Sequence, residues 1–208
     1  MQIVIKNVSK KIRDNLVLNN VNITFESGKI YGLRGYNGSG KTMLLRAICG
    51  LIQPTEGAIY IDEKQLGKAM DYPESVGIMI ENPAFLGDFS GLKNLKMIAE
   101  LKNEVEEKDV IETLKRVGLE ESMRTKYRKY SLGMKQRLGI AAAIMESPEI
   151  LLLDEPTNAL DPDGIRMVAD VIKEMKNENR IIIIASHEVS FLEEVADVIY
   201  EIQHGTIV

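Results

Sequence analysis

The first part of the chain alternates apolar and polar residues, a pattern that is typical of β-strands. Ile3 and Ile5 alternate with polar neighbours, and residues 17–25 repeat the pattern. A period of two places the apolar residues on one face of a sheet. Together with a further strand at Lys29–Leu33, this predicts that residues 1–34 are rich in β-structure.

The spacing of apolar residues changes in the middle of the chain. From Leu92 to Ser147 they recur every three or four positions among many charged residues, as Val110, Leu114 and Val117 do. That period is typical of amphipathic helices. We therefore predict a helical subdomain over residues 82–147, inserted between two parts of another structure.

From Ile150 onward, short apolar strands alternate with amphipathic helices. These predicted elements are Ile150–Leu153 (strand), Gly164–Lys176 (helix), Arg180–Ala185 (strand), Val189–Val195 (helix) and Val198–Ile202 (strand). Strands that are separated by helices form parallel sheets covered by those helices. The chain is thus predicted to be one α/β domain of residues 1–208, in which residues 1–81 and 148–208 form the core with its β-subdomain.

The composition of the chain indicates its cellular compartment and argues against some classes of partner. The chain carries 26 basic and 31 acidic side chains, a net charge of −5, which argues against a nucleic-acid partner. Its single cysteine, Cys49, excludes an intrachain disulfide and is typical of a reducing cytosol. The most apolar runs, Ile150–Leu153 and Ile181–Ala185, are far shorter than the roughly 20 residues of a membrane helix. We therefore predict a cytoplasmic chain that does not cross a membrane alone.

A glycine-rich loop lies between the strand Lys29–Leu33 and a predicted helix at Thr42–Cys49. The loop reads GYNGSGKT and fits the pattern G-x-x-x-x-G-K-[ST] of phosphate-binding loops. Its glycines let backbone N–H groups point at phosphate oxygens, and the helix amino terminus adds positive potential. We expect Lys41 to neutralise the β- and γ-phosphates of ATP and the Thr42 hydroxyl to bind Mg²⁺. The predicted nucleotide-binding residues of this segment are Gly35, Tyr36, Asn37, Gly38, Ser39, Gly40, Lys41, Thr42 and Met43.

Two acidic residues end the next strongly apolar strand. Asp154 and Glu155 directly follow Ile150–Leu153. Ligands of open α/β sheets bind at the carboxyl ends of the strands, so both acids should face the phosphate loop. Asp154 is the expected magnesium partner, and Glu155 is the expected general base that polarises the attacking water.

Three further motifs carry a resemblance to a known family. Tyr130–Arg137 (YSLGMKQR) resembles the LSGGQ signature of ATP-binding cassette proteins and lies just upstream of the two acids. Asn158–Asp161 resembles that family's D-loop, and His187 resembles its switch histidine. Their order and spacing match the family over nearly the whole chain. The resemblance implies a phosphate-loop NTPase core with a mostly parallel sheet, an N-terminal antiparallel β-subdomain and an inserted helical subdomain.

The resemblance also implies a mechanism and partners. In this family two cassettes pair head to tail with two ATP molecules between them, so Ser131 and Gly133 of one copy would contact the γ-phosphate bound by the other. His187 would hydrogen-bond the γ-phosphate and hold the attacking water near Glu155. Such chains act with polytopic membrane subunits, which would place this one on the cytoplasmic face of the cell membrane.

The chain departs from the family pattern in three places. Glu81 replaces the usual glutamine that reaches magnesium, and we expect it to serve as a metal ligand because Mg²⁺ also binds carboxylates well. Ile12 occupies the position at which the family often stacks an aromatic ring on adenine, so we expect a base contact with weaker selectivity. In the signature, Leu132 replaces a glycine and Met134 replaces the glutamine.

The segment Ile80–Phe85 resembles cassettes that serve bacterial exporters of antimicrobial peptides and drugs. Its apolar residues and those just after it are suited to receive a helix of a membrane subunit, or they form ordinary subdomain core; they are Ala84, Phe85, Leu86 and Phe89. We also expect no regulatory domain after Gly205–Val208.

Two alternative functions stay open at this point. One is a cassette ATPase of translation or DNA repair, but such proteins usually carry fused cassettes or long coiled-coil insertions, neither of which is seen in these 208 residues. The other is a nucleotide-gated regulatory module without hydrolysis, against which the presence of Lys41, Glu155 and His187 argues. The sequence leaves open the cargo, the direction of transport and the choice between a homodimer and a heterodimer.

Overall fold

The computed structural model describes residues 1–81, 83–102 and 105–208. Asn82, the first residue of the predicted helical subdomain, lies outside the described residues. The elements in chain order are β1 (Gln2–Ile12), β2 (Asn15–Glu26), β3 (Lys29–Arg34), α1 (Lys41–Ile48), β4 (Glu56–Ile61), β5 (Lys64–Gln65), β6 (Val76–Met79), α2 (Gly91–Lys102), α3 (Glu107–Arg116), α4 (Leu132–Ile144), β7 (Ile150–Asp154), α5 (Pro162–Met175), β8 (Ile181–Ser186), α6 (Val189–Val195), β9 (Val198–Gln203) and β10 (Thr206–Ile207).

Four strands form an antiparallel sheet in the order β2-β1-β4-β5. Ile3 of β1 pairs with Phe25 of β2, and both side chains are fully buried. Irregularities in the pairing of β1 with β2 interrupt the alternation, and Leu18 rather than Val17 is buried there. The predicted N-terminal antiparallel β-subdomain is therefore confirmed. The residue that faces the core near Val17 could not be predicted, because irregularities in strand pairing interrupt the simple period of two.

Six strands form the second sheet in the order β10-β9-β3-β8-β7-β6. All of its pairings are parallel except that of the short edge strand β10 with β9. The predicted α/β fold with a mostly parallel sheet is confirmed. The helix α6 has the predicted bounds, whereas the two-residue strands β5 and β10 carry too little pattern to be predicted.

The central strands β7 and β8 are buried on both faces. Leu152 and Ile183 belong to the core that also contains residues of α1 and the antiparallel sheet. Leu151 and Ile182 belong to the core that contains residues of α4, α5 and α6. Because successive strand side chains point to opposite faces, burial of both faces requires the continuous apolar runs seen in the sequence.

The loop before α2 is fixed by buried polar groups. The Asn94 amide accepts a hydrogen bond from the Leu86 N–H (2.9 Å) and donates to the Leu86 carbonyl (3.1 Å). The Tyr127 hydroxyl donates to the Pro83 carbonyl at 2.7 Å, and burial raises the pKa of Tyr127. The apolar pattern of the helical segment does not indicate these contacts.

Arg180, just before β8, is a buried cation that joins two helix ends. Its guanidinium donates to the carbonyls of Pro148 (2.5 Å) and Ser147 (3.1 Å), which follow α4, and to the carbonyl of Met175 at the end of α5. Burial lowers its pKa. Positive charge is favourable at helix carboxyl termini, so Arg180 replaces the water that would otherwise bind these carbonyls.

The topology brings the ends of three strands to one edge of the sheet. In the parallel register Arg34 of β3 lies opposite Ser186 of β8, and Asp154 of β7 lies opposite Ala185. The segments after β3, β7 and β8 therefore meet. Among the described residues no helix is both long and apolar enough to span a membrane.

Candidate active site

The glycine-rich loop connects β3 to α1 and ends in a left-handed residue. Gly40 has φ 113° at the start of α1, a conformation that side chains other than glycine rarely adopt. A Cβ atom added to Gly40 would lie 2.9 Å from the Val17 carbonyl oxygen and 3.2 Å from the Gly205 Cα. Gly38 also has a positive φ, 84°, but a Cβ there would meet nothing within 4 Å.

The turn between β9 and β10 supports this loop from outside. The Gly205 N–H donates to the Ser39 carbonyl at 2.8 Å. The Tyr36 hydroxyl lies 2.8 Å from His204 Nδ1, and the two rings meet edge to face. Neither contact could be predicted from the sequence, because the two partners are far apart along the chain, 168 positions in the case of Tyr36 and His204. The phosphate loop is thus fixed in place by the β9–β10 turn as well as by β3.

Lys41 lies buried inside the loop. Its Nζ donates to the carbonyls of Gly35 (2.6 Å) and Tyr36 (3.3 Å) and lies 3.4 Å from Glu155 Oε1. The side chain is only 5% exposed, so its charge acts in an environment that screens it less than water does. This is the cation that the sequence assigns to the phosphates.

Thr42 and Asp154 form the pair expected at a magnesium site. The Thr42 hydroxyl donates to Asp154 Oδ2 at 2.7 Å, while Asp154 Oδ1 is buried with no hydrogen-bond partner. Burial raises the pKa of Asp154, which the hydrogen bond from Thr42 opposes. A buried carboxylate oxygen and a hydroxyl are hard oxygen ligands suited to Mg²⁺, which also takes ligands from water and phosphates. The residues present therefore fit this ion.

Glu155 is held in a network beside the loop. Its backbone has φ 48°, a strained value that is found at functional sites more often than elsewhere. Its Oε2 lies 2.8 Å from His187 Nδ1 and accepts from the Ser186 hydroxyl at 3.3 Å. An ionised carboxylate only accepts, so Nδ1 of His187 carries the proton in this contact. Gln136 donates to the Glu155 carbonyl at 2.8 Å.

Sequence reasoning missed the supporting residues Gln136 and Ser186. Gln136 is buried in α4, although the charged residues Lys135 and Arg137 flank it in the sequence. A lone amide at a buried helical position is the signal that could have identified it, because buried amides require partners. Ser186 is fully buried at the end of β8, and only the neighbouring His187 marks that strand end.

A groove of about 910 Å³ runs along the loop. Ile12 and Arg13 lie in its wall, with Ile12 42% exposed, and Met43 and Glu155 also line it. Its size suits a nucleotide, since ligand sites are typically a few hundred to about 1,000 Å³. The structure therefore places Ile12 and residues 36–43 around one groove, whereas Gly35 is not among the lining residues.

Glu81 lines the groove, but its carboxylate pairs with Arg46. Glu81 Oε1 lies 2.6 Å from Arg46 Nη2, whereas Thr42 and Asp154 contact each other directly. Among the described ranges, no three His, Cys, Asp or Glu side chains are clustered as a metal site. Of the three predicted metal ligands, Thr42 and Asp154 are in contact, whereas the carboxylate of Glu81 is paired with Arg46.

The signature residues lie at the start of α4. Ser131 caps the helix, and its hydroxyl accepts from the Met134 N–H at 3.2 Å. Leu132 is 71% exposed. Neither Ser131 nor Gly133 is among the described residues that line the 910 Å³ groove of the same chain. The helix start and the phosphate loop are therefore separate surfaces of one copy.

The groups at this sheet edge are of the kinds that bind a nucleoside triphosphate and assist its hydrolysis. The loop and Lys41 suit the phosphates, Thr42 and Asp154 suit magnesium, and Glu155 has the carboxylate of a general base. Fold and site together define a phosphate-loop NTPase.

Comparisons with known proteins narrow this class. A profile of the family described as ABC transporter matches residues 18–158. The ABC transporter ATP-binding protein YybJ of Bacillus subtilis is 48% identical over 201 residues, which cover 97% of this chain and 92% of that protein. The bacitracin transport ATP-binding protein BcrA of Enterococcus faecalis is 41% identical, over 98% of this chain and 67% of that protein. This chain belongs to the ABC transporter family.

A solved structure extends the comparison to the whole fold. The dimeric post-hydrolysis state of an ATP-binding cassette bound to ADP and Pi superposes with a TM-score of 0.88 at 26% identity, over 99% of this chain and 96% of that one. The chain is thus an ATP-binding subunit with ATPase activity, and its partners are a second cassette and membrane subunits. This confirms the resemblance seen in the sequence and favours transport over the two alternatives.

Proposed function

We propose that this chain powers the export of antimicrobial peptides through membrane subunits, and that hydrolysis uses Glu155 as the base. The observation that carries the catalytic assignment is the position of its carboxylate, 2.8 Å from His187 Nδ1 and 3.4 Å from Lys41 Nζ. A carboxylate at this place accepts a proton from the attacking water. His187 fixes the orientation of the carboxylate and contacts the γ-phosphate.

Thr42 and Asp154 are the proposed protein ligands of magnesium. The buried, unpartnered Asp154 Oδ1 supports this assignment, because such a group is unfavourable without a cation or a donor. When bound, the ion neutralises charge on the phosphates. Lys41 adds a second positive charge from inside the loop. Ile12 and Met43 are the proposed apolar contacts for the nucleotide at the groove wall.

Each nucleotide site is proposed to be completed by a second copy. Ser131 is exposed at the start of the 13-residue helix α4, and helix starts attract phosphate. The Ser131 hydroxyl and the Gly133 N–H lie outside the groove of their own chain. A head-to-tail pair would bring these groups to the γ-phosphate of the partner copy. ATP would then act as the link that closes the pair.

An apolar groove of about 520 Å³ is the proposed seat of a helix from a membrane subunit at the cytoplasmic face. Ala84 and Phe85 line it together with the edge-strand residue Ile78. Leu86 and Phe89, which follow shortly after Phe85 in the chain, are 51% and 41% exposed. The apolar lining suits the recognition of an amphipathic helix.

The proposed cargo follows from a relative and from the segment Ile80–Phe85. The relative from Enterococcus faecalis is named for bacitracin transport and matches 98% of this chain.

Deleting the gene of this chain from its own host should lower the bacitracin concentration that stops growth at least severalfold. Restoring the wild-type chain should reverse the effect, and restoring Glu155→Gln should not. Unchanged sensitivity of the deletion strain to bacitracin and to other peptide antibiotics would refute the cargo class.

Glu81→Gln should keep ATPase activity within about tenfold of the wild type, a barrier change of roughly 1.4 kcal/mol. Glutamine retains an oxygen ligand at the same position and loses only the charge. Steady-state phosphate release at saturating ATP measures the change. A complete loss of turnover would show that Glu81 does not replace the usual glutamine of the family.

A further inference from the structure

The ion pair between Arg46 and Glu81 joins the phosphate-loop helix to the loop after β6. Arg46 lies in the last turn of α1, and its side chain is 30% exposed, against 58% for Glu81. The Nη2–Oε1 distance of 2.6 Å is that of a charge-assisted hydrogen bond. Glu81 has φ 59°, so its backbone is held in a strained conformation, and this pair fixes the direction of its side chain.

Glu81 lies at the boundary between different cavities. It lines the nucleotide groove and also a polar cavity of about 360 Å³ that contains Asp154, Glu155 and Gln136. Arg46 instead lines the apolar 520 Å³ groove. The pair therefore joins Glu81, at the edge of the polar cavity, to a residue of the apolar groove, and the backbone of Glu81 lies beside the metal-site carboxylate of Asp154.

Charge explains why such an arrangement is favourable. Asp154 and Glu155 already place two carboxyl groups in the polar cavity, and a third carboxylate would be repelled unless a cation were present. Arg46 offers Glu81 a partner of opposite charge outside that cavity. Because both side chains are partly exposed, the pair is weak and can be exchanged for another partner.

We propose that Arg46 is a positioning residue that competes with magnesium for the Glu81 carboxylate. Arg46 holds Glu81 away from Asp154 in the nucleotide-free chain, and Glu81 leaves Arg46 when ATP binds with the ion. This inference rests on the proposed magnesium site at Thr42 and Asp154. It makes the charge of Arg46 a determinant of how much magnesium the chain requires.

The test measures the Mg²⁺ concentration that half-saturates binding of a fluorescent ATP analogue to the nucleotide-free chain, without hydrolysis as a readout. Arg46→Met keeps the apolar stem and removes the charge. It should lower the required Mg²⁺ concentration about three- to fivefold, the range of a partly exposed ion pair. Arg46→Lys should restore the wild-type value. In a Glu81→Gln background, Arg46→Met should change nothing, because the competition has been removed.

A matched control is available in the same chain. Arg116 pairs with Glu174 at 3.2 Å, with side-chain exposures of 32% and 64% that closely match those of the proposed pair. Arg116→Met should leave the magnesium requirement unchanged, and circular dichroism checks that each variant is folded. An Arg46→Met shift of equal size in the Glu81→Gln background would overturn the proposal, and so would no shift at all. Failure of the proposed function is a separate result, since the wild-type chain would then not bind ATP with Mg²⁺.

Discussion

Replacing Glu155 with glutamine is expected to reduce ATP turnover by about 100- to 1,000-fold, a barrier increase of roughly 2.7 to 4 kcal/mol. Glutamine has the same shape and can still contact His187, but its amide does not accept a proton from water at neutral pH. Binding of ATP should stay close to that of the wild type, because Lys41 and the phosphate loop are unchanged. The effect should therefore fall on kcat and not on affinity.

Phosphate release and ATP binding, measured separately, check this prediction. With hydrolysis blocked, ATP should also accumulate a dimer of the Glu155→Gln chain that light scattering detects, since the nucleotide that links the copies is not consumed. Glu149→Gln is the control, because Glu149 is exposed just before the other end of the same strand β7. Equal turnover of wild type and Glu155→Gln would remove Glu155 as the base.

Replacing Gly40 with alanine is expected to weaken ATP binding by about 100-fold and to destabilise the nucleotide-free chain by roughly 3 kcal/mol. Alanine is strained at φ 113°, and its Cβ would press on the backbone carbonyl of Val17, 2.9 Å away. Gly38→Ala shares the positive φ but meets nothing within 4 Å. It should destabilise the chain by only about 1 kcal/mol through backbone strain.

The comparison of these two variants separates strain from close packing. Urea unfolding gives the free energy of unfolding of each nucleotide-free chain, and calorimetry gives its affinity for ATP with Mg²⁺. If Gly38→Ala were as unstable as Gly40→Ala, contact with Val17 would have no role in the stability of the loop. The stability measurement is made without nucleotide because a Cβ at Gly38 could also contact a bound phosphate.

The core of the fold could be predicted because each of its signals is local. The apolar run Ile150–Leu153 indicates a strand buried on both faces, and the acids that follow it indicate the carboxyl edge of a sheet. The phosphate loop is likewise contiguous in sequence. The parallel topology is then enough to predict that Asp154 lies near Thr42. The observed distance of 2.7 Å between the Thr42 hydroxyl and Asp154 Oδ2 agrees with that expectation.

The unpredicted contacts are long-range and polar. The sequence predicts Arg180 to be the first residue of a strand. None of the residues next to it in the sequence indicates that its side chain joins the ends of α4 and α5. Arg46 reads as an ordinary charged residue on the helix α1, yet it determines where Glu81 points. Such pairs depend on how separate elements pack, and hydrophobic periodicity contains no information on which charged side chains meet across them.

The phosphate loop depends on contacts with the β9–β10 turn, so it is not expected to keep its structure when it is moved alone into another protein. Its eight residues rest on Gly205 through the Ser39 carbonyl and on His204 through the Tyr36 hydroxyl. A graft of the motif into another strand–helix unit would lack both supports, and Gly40 would lose the close packing with Val17. A transplanted loop would therefore need this distant turn with it, so the minimal unit for engineering is three-dimensional and not a contiguous peptide.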